Sequence, residues 1–173
     1  MSVREVQREI KTEYKQNPEA AKVTLRAKGS EAAGSAMACN VDIGRAIFET
    51  QAHAGVGGPG TAACSGDLLL AALAGCAQIT AQLVAEAMGL SARSIEVKVE
   101  GDLDLRGTLG IDRSVPVGFT EVRLALEVDG DLTDEELASF HRKVERYCVV
   151  LQTLTTPPKI ASTVRRIRTE QTA

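Results

Sequence analysis

The chain has 173 residues, 44% of them hydrophobic and 25% charged, which is the size and mix of one folded domain rather than two. A formal net charge of −3, with no Lys/Arg run and no aromatic-basic stripe, argues against a nucleic-acid surface. Aromatics make up 3% and Trp is absent, so Leu, Val, Ile and Ala must supply the core.

Val3, Val6, Ile10 and Tyr14 keep helical spacing behind a Ser2/Glu5 capping box, and Asn17 and Pro18 end that first helix, which leads into a single domain over 1–173. No apolar stretch of a secretory signal stands at this end. Four cysteines without such a signal predict reduced thiols in a cytoplasm rather than a disulfide scaffold. Residues 21–27 then alternate as a half-buried strand, 29–34 read as a hairpin connection, and strands are expected near 35–41 and 45–52. Residues 55–60 form a glycine-rich loop.

Ser65 is the expected N-cap of a long apolar helix that ends at Gly89. Gln78, Thr80, Gln82 and Glu86 interrupt its apolar run below the roughly 20 residues of a membrane span, so it reads as a buried core helix. Ile95, Val97, Val99, Leu103 and Leu105 alternate with Glu96, Lys98, Glu100, Asp102 and Asp104 in a clean strand, whose acidic positions are a solvated edge. A loop follows over 106–118, and then a second alternating strand carries Val122, Leu124, Leu126 and Val128. Thr133 and Glu136 make a further capping box, and Leu137, Phe140, Val144, Tyr147, Cys148, Leu151 and Leu154 trace one stripe of a helix. Pro157 and Pro158 stop it, and 159–168 is the expected last strand.

Runs of strands separated by two substantial helices make the fold class α+β. A helix apolar on nearly every face needs cover from more than one side, and in a chain of this size a second subunit is the natural source. The predicted assembly is therefore a homodimer.

The sharpest feature is a pair of cysteines in separate helical patterns. Cys76 ends the segment SGDLLLAALAGC, and Cys148 lies within ERYCVVLQTL. Taken singly, a cysteine on an apolar helix is packing material. Together with GGPG at 57–60, the segment EGDLDLRGTL at 100–109 and VPVGF at 115–119, the two motifs resemble the family of osmotically inducible protein C and the organic hydroperoxide resistance proteins over nearly the whole length.

That resemblance implies the OsmC-like fold, an intertwined homodimer with mixed β-sheets around central cysteine-bearing helices. It also implies a thiol-dependent peroxidase acting on organic hydroperoxides in oxidative stress defence. Cys76 would be the peroxidatic thiolate, oxidised to a sulfenic acid, and Cys148 the resolving thiol that condenses with it to a disulfide. A dithiol reductant, of which lipoylated protein is one type in the family, restores both. No cofactor, metal, nucleic acid or membrane partner is implied.

The chain departs from the family pattern at two points. Ser65 and Gly66 stand where a Pro-Glu pair usually precedes the cysteine helix, leaving Asp67 as a substitute acid, about 180° around an ideal helix from Cys76. Val149 stands where a proline usually follows the second cysteine. Arg45 and Arg106 are the candidates for a catalytic arginine, and His53, approaching the glycine loop, is a further supporting candidate.

Other readings are weaker. Gly55, Gly57 and Gly60 match G-x-G-x-x-G, but Pro59 interrupts and the helix starts several residues later, so a dinucleotide site is not expected. His53 and His141 have no metal spacing with the cysteines, and no nucleophile elbow is present. Cys64 lies twelve residues before Cys76, roughly 18 Å along a helix, which rules out a direct disulfide between them. Cys64 and Cys39 read as packed thiols. The alternative function is a non-catalytic dimer that binds a small apolar ligand or acts as a slow redox sensor.

Overall fold

The strict alternation of apolar and charged residues between 92 and 130 builds the sheet on which the cysteine helices pack. The structure, a computed structural model, describes residues 8, 11–12, 16–17, 24, 28–31, 38–42 and 47–166. Its elements in chain order are β1 (Lys28–Glu31), β2 (Ala38–Asp42), β3 (Ile47–Gln51), a 3-10 turn (Ala54–Val56), α1 (Ser65–Met88), β4 (Ala92–Asp102), α2 (Leu105–Thr108), β5 (Glu121–Gly130), α3 (Asp134–Tyr147) and α4 (Val149–Thr155). Strands β1, β2 and β3 form one sheet in that order, and β4 and β5 form a second. Both are antiparallel, not mixed, among the described residues.

In the second sheet the register runs from Ile95 opposite Val128 to Asp102 opposite Glu121. Val97, Val99, Leu124 and Leu126 therefore share one face, and α1 lies across it. Leu73, Ala77, Ala81, Val84 and Ala85 make the buried row of α1 at helical spacing. Phe140 and Val144 of α3 complete the core beside Ala81, Val84 and Ala85, with Ile95, Leu126 and Val128 beneath. The charged face of the sheet is open: Arg123 pairs with Asp102 and Glu100, and Lys98 with Glu127 at 2.6 Å. These pairs are exposed and screened, so the fold rests on the apolar face.

Helix starts and stops follow local chemistry. At α3 the expected capping box is present: the Thr133 hydroxyl accepts from Glu136 N at 3.2 Å, and the Glu136 carboxylate accepts from Thr133 N at 2.8 Å. Gly89 closes α1 at φ 69°, a left-handed conformation that suits glycine. The N-cap of α1 is Cys64, one residue before the predicted Ser65, because the Asp67 carboxylate accepts from Cys64 N at 2.8 Å and sets the first turn there.

Several expectations are corrected. Residues 29–31 are in β1, paired from Lys28 opposite Asp42 to Glu31 opposite Cys39, and the rest of the expected connection, 32–34, lies outside the described residues. The first long strand ends at Asp102, and the expected loop beyond it contains α2, started by Asp104, whose carboxylate accepts from Arg106 N at 3.1 Å. Asp104 is thus a capping residue rather than a solvated strand edge. The stripe from Leu137 to Leu154 is two helices, broken at Cys148, whose φ −72° and ψ 106° are extended. No strand forms from 159 to Arg166, where Ile160 and Val164 are 88% and 100% exposed and find no sheet edge among the described residues.

At the other end, Arg8, Lys11, Thr12 and Gln16 are helical and Asn17 is not, with Thr12 Oγ1 donating to Arg8 O at 2.9 Å. The Ser2/Glu5 box and the strand expected over 21–27 lie outside the described residues, apart from Thr24, which is in no strand.

Candidate functional site

Cys76 and Cys148 come together in the structure. Cys76 lies on α1, one turn beyond the buried Leu73, and is half-buried. Cys148 is fully buried, at 0% exposure, and packs with Leu73, Ala77 and Cys76 against Val97, Val99 and Leu124 of the sheet and Val150 and Leu151 of α4. The same α1 face that builds the core thus delivers the first sulfur to the second.

Backbone bonding fixes the position of Cys148. Its N–H donates to Val144 O at 2.9 Å, closing α3, and its carbonyl accepts from Gln152 N at 2.9 Å, opening α4. Gln152 Nε2 also reaches back across the break to Glu145 O at 2.9 Å. Cys148 is therefore the C-cap of one helix and the N-cap of the next.

The two sulfurs interact directly. Burial pushes the Cys148 thiol up from its ordinary value, and its hydrogen bond to Cys76 pushes the same way, against the pull of the Leu151 and Val150 amides. At neutral pH Cys148 accordingly keeps its proton and presents it to the Cys76 sulfur. The pair is thus asymmetric: Cys148 is the buried, protonated thiol and Cys76 is the more accessible one. Among the described residues Cys64, Cys76 and Cys148 are free thiols, and no cluster of His, Cys, Asp and Glu is arranged to hold a metal.

The supporting candidates lie elsewhere. Asp67 and His53 gather at the N-terminus of α1 around a cavity of about 250 Å³, with Cys64, Leu70, Leu103 and Phe119. Asp67 is nine residues before Cys76, roughly 13 Å along the helix axis. Its carboxyl is held below the usual range, first by the Cys64 N–H and then by the Cys64 thiol. His53 Nδ1 accepts from Gly55 N at 3.0 Å and caps the 3-10 turn.

Arg106 is engaged with Asp104, its Nε donating to Oδ1 at 3.0 Å, and both side chains belong to the α2 cap. Arg45 lies outside the described residues. Cys39 is in β2, opposite Glu31 and Thr50. Sequence reasoning missed the sheet residues Val97, Val99 and Leu124 as a wall of the cysteine site, although their alternation had already put them on one face. It also missed the break at Cys148. The β-branched pair Val149 and Val150 was a signal for that break, being poor helix formers.

The likeness to known proteins agrees with this architecture. The family model described as OsmC-like protein matches residues 58–163, which contain both cysteines. No curated protein matches. Among solved structures, an OsmC-like protein from Mycoplasma pneumoniae is similar with a TM-score of 0.64 and 18% identity, over 79% of this chain and 90% of that one. An organic hydroperoxide resistance protein OsmC from Legionella pneumophila has a TM-score of 0.60 and 20% identity, over 78% and 90%. An organic hydroperoxide resistance protein from Elizabethkingia anophelis has a TM-score of 0.58 and 21% identity, over 79% and 91%. With more than half of its length matched by the family model and the α+β arrangement shared with these structures, the chain belongs to the OsmC-like protein family.

Proposed function

We propose that this protein is a thiol-dependent peroxidase that reduces organic hydroperoxides in a reducing cytoplasm, with Cys76 as the attacking sulfur and Cys148 as the resolving one. The observation that carries the reading is the buried hydrogen-bonded contact between the two thiols. Relatives named as organic hydroperoxide resistance proteins share the fold and support the substrate class.

In this reading the Cys76 thiolate attacks the terminal peroxide oxygen, the O–O bond breaks, and a sulfenic acid forms with release of an alcohol. Cys148 then attacks the Cys76 sulfur, hydroxide leaves, and a disulfide closes. The apolar wall of Leu73, Val97, Val99 and Leu124 favours an organic peroxide over hydrogen peroxide. An external dithiol, such as a lipoylated protein, returns the pair to the reduced state by exchange.

The same reading places the chain in a homodimer. α1 is the one helix among the described residues that is long and apolar enough to cross a membrane, and only one side of it, with Leu73, Ala77 and Ala81, is buried in the protein core. α1 also exposes Leu69 and Ile79, and a second copy is the partner that would cover them. In this assembly the exposed Ile160 and Val164 would pair with a sheet edge of that copy.

A second reading, a non-catalytic dimer that binds a small apolar ligand, draws on a cleft of about 530 Å³ whose lining includes Leu83, Val84, Met88 and Tyr147. Stopped-flow oxidation of the reduced protein with mass mapping of the products separates the two. Rapid Cys76–Cys148 disulfide formation, faster with an organic hydroperoxide than with hydrogen peroxide, supports the peroxidase. Slow oxidation without that pairing leaves the ligand-binding reading.

A further inference from the structure

We propose that Cys148 has a second role before it resolves the sulfenic acid: its thiol is the proton donor to the alkoxide that leaves Cys76-bound peroxide. The inference rests on the peroxidase reading and adds an acid to it.

Breaking the O–O bond of an alkyl hydroperoxide releases an alkoxide, a strongly basic group that an apolar pocket cannot solvate. The reaction therefore needs a proton delivered as the bond breaks. Each described candidate donor other than Cys148 is tied elsewhere. Arg106 is paired with Asp104 on α2, and His53 and Asp67 stand at the far end of α1. Cys148 alone among them touches the Cys76 sulfur, and it is held there by hydrogen bonds through both of its backbone groups. Its burial also keeps the proton in place at neutral pH, so the donor is loaded before the substrate arrives.

The atoms balance without a further reagent. The Cys76 thiolate takes the terminal oxygen as a sulfenic acid, and sulfur is oxidised by two electrons as the peroxide is reduced. The departing alkoxide takes the Cys148 proton and leaves as the alcohol. Cys148 is left as a thiolate, attacks the Cys76 sulfur and expels hydroxide, which solvent protonates to water. The first step thus creates the nucleophile of the second, and Cys148 does not compete for peroxide while Cys76 is still reduced.

The test uses the leaving group. Single-turnover oxidation of Cys76 is followed in the reduced wild type and in Cys148→Ala, with cumene hydroperoxide and with perbenzoic acid. Cumene hydroperoxide loses an alkoxide that needs a proton, whereas perbenzoic acid loses a carboxylate that does not. Cys148→Ala is expected to slow the first by about 100-fold or more beyond any slowing of the second. The retained perbenzoic acid rate also reports that the Cys76 site is still folded. Equal slowing with both oxidants, or no slowing with either, overturns the proton-donor role while leaving the peroxidase reading standing. Failure of wild-type Cys76 to react with either oxidant overturns both.

Discussion

Cys148 reaches Cys76 from the point where α3 gives way to α4, so the buried thiol is held by backbone on both sides while its sulfur faces the helix that carries its partner. Position and chemistry are linked here. The packing that hides Cys148 also raises the cost of ionising it, and the half-buried Cys76 is left as the more accessible sulfur of the pair.

Replacing Cys148 by Ser should therefore separate oxidation from turnover. One oxidation event at Cys76 is expected to persist, while steady-state turnover with a dithiol falls to background. Under excess peroxide Cys76 should advance to the sulfinic acid, seen as a gain of two oxygens on the Cys76 peptide by mass spectrometry. Normal turnover in this variant would remove Cys148 from the cycle.

Alkylation should follow exposure and ionisation. In the reduced native protein near neutral pH, iodoacetamide is expected to label Cys64 and Cys76 well before Cys148, which is buried and held protonated. Labelling of Cys148 should rise sharply at the denaturant concentration where the protein unfolds. Early labelling of Cys148 in the folded state would contradict its packing.

Phe140 anchors α3 against α1 and is 2% exposed. Phe140→Ala is expected to cost about 3–5 kcal/mol of stability, measured as a lower urea midpoint with an unchanged slope. A loss under about 1 kcal/mol would mean that the site collapses to fill the space, and that the core is looser than its burial implies.

Asp67 gives the α1 N-terminus an acid-dependent term. Its carboxyl is depressed in the folded protein, so its contribution is present above the unfolded value of about 3.9 and is lost as pH falls through the lower folded value. Wild type should be more stable than Asp67→Asn above about pH 5, and the gap should narrow progressively as pH falls below about 3.9. A constant difference across that range would show that the carboxylate charge is not what holds the cap.

Much of this was legible in the sequence because periodicity and capping are local properties. The alternation around Val97 and Leu124, the Thr133/Glu136 box and the Gly89 stop all appear as read. What periodicity could not supply was the break at Cys148. Leu151 and Leu154 continue the helical spacing past it, and nothing in that spacing records that the chain turns extended for one residue. The strand expected over 159–168 does not form in its described part, 159–166, for a different reason. Strand propensity needs an edge to pair with, and Ile160 and Val164 have none among the described residues. At the site, the cysteine pair was found from its motifs, whereas Asp67, His53 and Arg106 were grouped with it by order in the sequence and proved to serve caps and turns some distance away.

The single extended residue between α3 and α4 also decides which part of the molecule adapts to oxidation. α3 is anchored by Phe140 and Val144, while α4 is seven residues long and contains no buried residue. If the two sulfurs were drawn to covalent distance, α4, held to the core by Val150 and Leu151 alone among its residues, would be expected to adjust before α3. The reduced and oxidised proteins would then differ mainly on that small outer segment.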